Sequence, residues 1–169
     1  MRDSVATQLS GDYVGASGEI GHRFEAGGIA LTPYLGTQFV QVANDGFSEA
    51  GASGFGLRAN AWDSNRWQGF AGVRAARGWR VGDVDLRADA RAEWQQTLAS
   101  NGELFEASFT GLEQWAPLQG MALARRSQVF GVGLSAAFAG KATFRFDLSR
   151  RASDVGDSNI ASLQAVLRF

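Results

Sequence analysis

The sequence predicts an all-β protein built from antiparallel strands. Apolar and polar residues alternate with a period of two in several segments, which places their side chains on opposite faces of a strand. Short glycine-containing links connect some of these segments, as in tight hairpins. No apolar run approaches the roughly 18–20 residues that a transmembrane helix needs, so the sequence predicts no such helix.

Residues 84–95 show the alternation most clearly. The odd positions are charged, namely Asp85, Arg87, Asp89, Arg91 and Glu93, and the even positions from Val84 to Trp94 are apolar. Residues 142–149 and 161–169 repeat the pattern. A helix would mix the two sets of side chains, so these three segments are predicted to be strands with one polar and one apolar face.

The links between the predicted strands differ in length. Further strands are predicted at residues 13–24, 29–42 and 129–138. Short links are predicted at residues 26–28, 82–83 and 140–141, and longer ones at 44–54, 99–126 and 152–158. Short turns at one end and long loops at the other are typical of an outer-membrane β-barrel.

Residues 57–77 admit two interpretations. The triplet Asp63-Ser64-Asn65 resembles a turn, but the alternation stays in phase through it. If all short turns lie at one end, only one crossing fits between residues 29–42 and 84–95. We therefore predict one long strand and about seven crossings, or about eight if the triplet is a turn.

Composition excludes several classes of function. Sixteen basic and seventeen acidic residues give a net charge of -1, so there is no basic field for nucleic acid. The chain has no cysteine and one histidine, His22, so we expect no metal site, no cofactor and no catalytic activity. We expect a lead-in at residues 1–11 and one β-barrel domain at residues 12–169.

The alternation alone does not say whether the apolar face meets lipid or a soluble core. If the barrel lies in a membrane, each arginine on the lipid face at mid-membrane costs about 2–4 kcal/mol, so Arg87 and Arg91 must face the lumen. The residues predicted to line the lumen are Glu19, Arg23, Arg74, Arg87, Asp89, Arg91, Glu93, Arg145, Asp147 and Arg168. A soluble β-barrel of the opposite phase, binding an apolar ligand, stays open as an alternative.

Several motifs resemble those of the autotransporter translocator β-domain of type V secretion. Residues 21–24, Gly-His-Arg-Phe, resemble its Gly-Tyr-Arg-Phe, and residues 31–38, Leu-Thr-Pro-Tyr-Leu-Gly-Thr-Gln, resemble the strand that follows. Residues 46–52 resemble its Gly-Phe-Thr-Glu-Ser-Gly-Ala loop, and residues 120–125 and 133–135 its Gly-Ala-Pro-Leu-Ala-Arg and Gly-Leu-Ser segments. The ending at residues 167–169, Leu-Arg-Phe, resembles the closing strand of the family.

The resemblance implies a monomeric barrel in a Gram-negative outer membrane that exports or anchors a passenger segment. It also implies insertion by the outer-membrane assembly machinery, with Phe169, Leu167 and Leu163 as the assembly signal. Family barrels have twelve strands and a helix in the pore, whereas this chain matches only about the last seven strands. We therefore expect either a fragment of such a barrel or a smaller closed one.

Two further alternatives stay open. A small closed outer-membrane barrel could act as an adhesin or channel rather than as a translocator. The apolar loop at residues 99–126 either folds at the extracellular mouth or into the lumen, as the resemblance implies, or forms a hairpin that extends two strands.

Overall fold

A computed structural model describes residues 6–50, 55–112, 114–120, 124–139 and 141–167 of the chain. These residues form strands β1 (Gly11–Gly21), β2 (Phe24–Ala26), β3 (Ile29–Asn44), β4 (Phe47–Ser48), β5 (Leu57–Ala59) and β6 (Trp62–Val81). They continue with β7 (Val84–Asn101), β8 (Leu104–Phe109), β9 (Ala116–Gln119), β10 (Arg126–Phe138), β11 (Ala142–Ser153) and β12 (Gly156–Leu167). Within the described ranges no helix could cross a membrane.

The larger sheet confirms the prediction of antiparallel strands. Its order is β1-β3-β6-β7-β10-β11-β12, and β2 pairs with β3 beside β1. One backbone hydrogen bond to β3 persists between β1 and β2: the amide of His22 donates to the carbonyl of Pro33 at 3.1 Å. If β1 and β2 are taken as one interrupted crossing, the sheet has the predicted seven. Among the described residues no pairing joins β1 to β12.

The ambiguous stretch at residues 57–77 is resolved in favour of a single long strand. Residues 63–65 lie within β6, which runs for twenty residues from Trp62 to Val81. The preceding residues, Leu57–Ala59, form the separate short strand β5. The continuous alternation was therefore a better guide than the turn-like composition of the triplet.

The three short hairpin links are confirmed. Ala26 pairs with Ile29 across Gly27 and Gly28, whose φ angles of 59° and 75° are left-handed. This is the backbone that a two-residue hairpin turn of the primed type needs, and glycine adopts it without a steric penalty. Gly82, with φ 58°, begins the link between β6 and β7. At the third link Phe138 pairs with Ala142.

The predicted long link at residues 152–158 is wrong. β11 continues to Ser153, which pairs with Gly156 at the start of β12, so the connection is a tight turn. The hydroxyl of Ser153 donates to the carbonyl of Gly156 at 2.6 Å, and Gly156 has a φ of 151°. Small polar residues indicated a loop here, but they belong to the paired ends of the two strands.

The predicted loop at residues 99–126 is partly wrong. β7 continues to Asn101, and the apolar residues beyond it form the β8–β9 hairpin. This hairpin does not extend β7 and β10. It joins β4 and β5 in a separate four-stranded sheet of order β4-β5-β8-β9. The twelve strands are therefore not twelve membrane crossings.

The chain divides into two compact units. The first contains Met1–Ser17, Gln38–Gln68 and Leu98–Leu123, and therefore the small sheet. Among its described residues Ala59, Ala107 and Ser108 are buried. The rings of Trp62 and Phe105 stack with their centroids 4.9 Å apart. The guanidinium of Arg58 lies 5.0 Å from the ring centroid of Trp115.

The second unit contains Gly18–Thr37, Gly69–Thr97 and Ala124–Phe169. Large apolar side chains at alternate positions of β10 remain about half exposed, with Phe130 at 50% and Val132 at 56%. Tyr34, on β3, is by contrast only 4% exposed. This unit therefore leaves its apolar side chains uncovered and buries part of its polar side, the reverse of a soluble protein core.

Candidate functional site: two charged clusters on one sheet face

The register of β7, β10 and β11 brings the charged positions of these strands onto one face. The three rungs of this face, each written from β7 through β10 to β11, are Arg87–Ser135–Arg145, Asp89–Gly133–Asp147 and Arg91–Gly131–Ser149. Successive rungs lie two residues apart along each strand, so their side chains point the same way. We call this the charged face. It contains six of the residues predicted to line a lumen, counting Glu93 beyond the last rung.

The first cluster on the charged face is centred on Arg145. Its guanidinium contacts the carboxylate of Asp89 at 3.0 Å and that of Asp147 at 2.5 Å. Two hydrogen bonds join Arg145 to each carboxylate, so the planar guanidinium is held on two sides. The side chains keep about a third of their surface exposed, so the cluster is in contact with solvent.

Gly133 makes this cluster possible. It lies between Asp89 and Asp147 in the register, directly beneath the ion pairs. A Cβ atom at this position would lie 2.6 Å from Nη2 of Arg145 and 2.8 Å from an oxygen of each carboxylate. The absence of a side chain at Gly133 therefore leaves room for the ends of these three long side chains. Gly131 is less crowded, since its nearest neighbours would be 3.6 Å away.

The second cluster joins β1, β3, β6 and β7. Arg74 forms a bidentate ion pair with Glu19, with N–O distances of 2.6 and 2.7 Å. The same guanidinium lies 3.8 Å from the ring centroid of Tyr34. The hydroxyl of Tyr34 donates to Glu93 at 2.6 Å, which connects this cluster to the charged face of β7. The ring of Tyr34 on β3 thus links charged side chains of three other strands, β1, β6 and β7.

Tyr34 was not among the predicted site residues. The sequence nevertheless indicates which face of β3 carries Tyr34. Leu31, Pro33 and Leu35 share one face of β3, so Tyr34 must lie on the other. Gln95 and Ser127 were also missed; the hydroxyl of Ser127 donates to Gln95 at 2.8 Å, and Gln95 donates to Glu93.

The opposite face is apolar along the same strands, and we call it the apolar face. On β7 it presents Val84, Leu86, Ala88, Ala90, Ala92 and Trp94. On β10 and β11 it presents Phe130, Val132, Leu134, Phe144, Phe146 and Leu148. Leu163 and Leu167, predicted as part of an assembly signal, pair with Phe146 and Ala142 and are 75% and 59% exposed. They therefore belong to the apolar face.

The remaining predicted residues divide into three groups. Arg23 lies at the break between β1 and β2 and pairs with Glu25 at 2.7 Å, with both side chains about two-thirds exposed. Arg168 and Phe169 lie outside the described residues, so their predicted roles rest on the sequence. Arg87 and Arg91 occupy the charged face, on either side of Asp89.

His22 and two acidic residues near the β11–β12 turn have structural partners. His22 contacts the ring of Phe24 edge-on, with centroids 4.5 Å apart. Asp154 accepts from the amides of Arg125 and Arg126, and Asp157 pairs with Arg150 at 3.0 Å. Within the described ranges, no three His, Asp or Glu residues are grouped as a metal site would need.

Comparison with known proteins agrees with the two-faced sheet. No curated protein sequence matches the chain. The family model of the autotransporter beta-domain matches residues 2–149, which covers most of the 169 residues and every strand from β1 to β10. The chain therefore belongs to the autotransporter β-domain family, the transmembrane β-barrels that act as translocators in the outer membrane of Gram-negative bacteria.

Proposed function

We propose that this chain anchors a passenger segment in the outer membrane and supports its export or display at the cell surface. The observation that carries the proposal is the separation of the sheet into a charged and an apolar face within a family of outer-membrane translocators. The charged face would line a wet lumen, and the apolar face would meet lipid.

The dimensions of the apolar face support this arrangement. From Val84 to Trp94 the even positions of β7 are all apolar, a distance of ten residues. At about 3.3 Å per residue the band is roughly 33 Å long along the strand. A strand tilt of about 40° reduces its height to roughly 25 Å, the height of the apolar band of an outer-membrane barrel.

The charge distribution supports the same phase. The Arg145 cluster and the Glu19–Arg74 pair both lie on the face opposite the apolar band. Turning Arg87 and Arg91 toward lipid at mid-membrane would cost about 2–4 kcal/mol each. The reverse phase would also immerse two ion-paired clusters in hydrocarbon, where charges lose their hydration.

The connections suggest an orientation. Three short links, β2–β3, β6–β7 and β10–β11, lie at one end of the antiparallel strands. The two long connections, with β4 and β5 in one and β8 and β9 in the other, lie at the opposite end. We assign the short turns to the periplasm and the two long connections to the extracellular side. The β11–β12 turn lies at that same extracellular end.

The role we propose is mechanical rather than catalytic. The ion pairs hold charged side chains against neighbouring strands and leave the lumen hydrated. We further infer that the barrel is monomeric and that the outer-membrane assembly machinery inserts it, with Phe169, Leu167 and Leu163 on the last strand as the recognition signal. An alternating strand with unpaired backbone groups can add to an exposed sheet edge of a partner.

Surface display of an upstream epitope tests the proposal. An epitope fused directly before Met1, behind a signal peptide, should be cleaved by protease added to intact cells. A matched epitope in the periplasmic turn at residues 82–83 should be cleaved only after the outer membrane is permeabilised. Protection of both epitopes in intact cells, with the protein present in the outer membrane, would contradict export of a passenger.

A further inference from the structure

A groove crosses the apolar face of the second unit. Its volume is about 490 Å³, and its floor includes the small side chains Ala75, Ala90 and Ala92. Larger side chains border it, among them Leu31, Phe130 and Leu148. Because alanine leaves space between its larger neighbours, the groove is an open depression in the apolar face.

The groove ends at polar residues. Arg150 and Asn159 contribute to its lining, and the two residues are paired across β11 and β12. Both occupy the apolar phase: Arg150 follows Phe146 and Leu148 along β11, and Asn159 precedes Ala161 and Leu163 on β12. They lie within a few residues of the β11–β12 turn, and therefore at one boundary of the apolar band.

The guanidinium of Arg150 is available to a ligand. It donates from Nη2 to Asp157 at 3.0 Å, and its side chain is 61% exposed. A guanidinium has five N–H donors in a planar fork that suits phosphate oxygens. An arginine in the lipid-facing phase costs only about 0–1 kcal/mol near the membrane interface, so this boundary tolerates it.

We propose that this groove binds one acyl chain of a phosphorylated saccharolipid of the outer leaflet, with the phosphate held by Arg150 and Asn159. The proposal rests on the proposed membrane orientation, which puts the β11–β12 turn at the extracellular end. The apolar floor matches the chain, and the cationic end matches the phosphate. Asp157 competes with the phosphate for the guanidinium and thereby weakens the site.

Lipid retention by the refolded full chain tests this site. The chain would be refolded in detergent, incubated with bisphosphorylated lipid A, and examined by native mass spectrometry. Arg150→Gln should weaken retention on the order of tenfold, the size expected for one lost charge-assisted hydrogen bond. Asp157→Asn should strengthen retention, because it frees the guanidinium; a purely structural Arg150–Asp157 pair predicts no such gain.

The controls separate headgroup, groove and general charge effects. Arg77→Gln removes an arginine on the apolar phase of β6, outside the groove lining, and should leave retention unchanged. Ala90→Phe should fill the groove and abolish retention even with Arg150 intact. Dephosphorylated lipid A and phosphatidylglycerol should both bind more weakly than the bisphosphorylated lipid.

The outcomes distinguish this inference from the proposed function. Equal retention by the native chain and Arg150→Gln, or equal losses in Arg150→Gln and Arg77→Gln, would overturn the site. Equal retention of phosphatidylglycerol would overturn the assignment to a saccharolipid. If residues of the apolar face proved inaccessible to a lipid-phase probe, the proposed function itself would fail.

Discussion

Gly133 shows how one residue without a side chain organises several that are charged. Gly133 lies beneath the contacts of Arg145 with Asp89 and Asp147. A Cβ atom at this position would enter the space that these three side chains occupy. Both carboxylates need the guanidinium between them, because their like charges, on β7 and β11 with only Gly133 of β10 between them, would otherwise repel each other. The small residue and the ion pairs are therefore one structural feature, not two.

Gly133→Ala should destabilise the refolded protein by about 1 kcal/mol, since the ends of three side chains must shift and weaken their pairing. Gly131→Ala is the matched control, because its Cβ would meet ordinary contacts at 3.6 Å. Urea unfolding from lipid vesicles would measure both. In an Arg145→Ala background the cost of Gly133→Ala should fall, because the carboxylates can then move away from the added Cβ; an unchanged cost would show that the cluster is not the cause.

Among the elements, the β2–β3 hairpin depends most directly on backbone conformation. Gly28→Ala should cost about 1–2 kcal/mol, because φ at this position is 75° and the left-handed region is unfavourable for alanine. Gly18→Ala is the control: no heavy atom lies within 4 Å of its added Cβ, and its φ is not left-handed. Equal urea midpoints for the two variants would contradict the assigned turn geometry.

The last strand, β12, gives a prediction that separates assembly from stability. If Phe169 belongs to the proposed assembly signal, deleting it removes about 2 kcal/mol of apolar burial from recognition by the assembly machinery, but shortens the chain by only one residue. Outer-membrane yield should therefore fall much more than refolding yield in detergent. Equal membrane yields for the full and shortened chains would refute the signal role, and equal losses in both assays would make Phe169 merely structural.

The elements differ in how well the sequence predicts them. Period-two alternation identified β3, β7, β10 and β11, because each has one uncovered apolar face over many residues. It missed the small sheet, since β4 and β5 have only two and three residues and show no period. It also missed the β11–β12 turn, where pairing with a neighbour overrides the loop-like composition of residues 152–154.

The site was predictable to a similar degree. Charged residues at alternate positions predicted the charged face, because the register of neighbouring strands preserves the phase from rung to rung. Which side chains of the charged face contact one another depends on the lengths of the side chains and on the register between strands that are distant in sequence. The contacts of Tyr34 with Glu93 and Arg74, for example, join residues dozens of positions apart. Alternation alone carries no information about such pairs.

At the scale of the whole molecule, the central claim is that the two faces meet different solvents. We propose that the charged face, with its ion-paired clusters, meets water and that the apolar face, with half-exposed Phe130 and Val132, meets lipid. The claim does not depend on the identity of a passenger or on the number of strands in the complete barrel. It can therefore be tested on this chain alone.

Single-cysteine labelling in lipid vesicles tests the claim most directly, because the native sequence contains no cysteine. Arg87→Cys and Arg145→Cys should react with a water-soluble maleimide, and Ala88→Cys and Phe144→Cys with a lipid-phase probe. The pairs are matched, since each compares adjacent residues of one strand. Reaction of Ala88→Cys and Phe144→Cys with the water-soluble reagent, and of Arg87→Cys and Arg145→Cys with the lipid-phase probe, would contradict the membrane phase of the sheet.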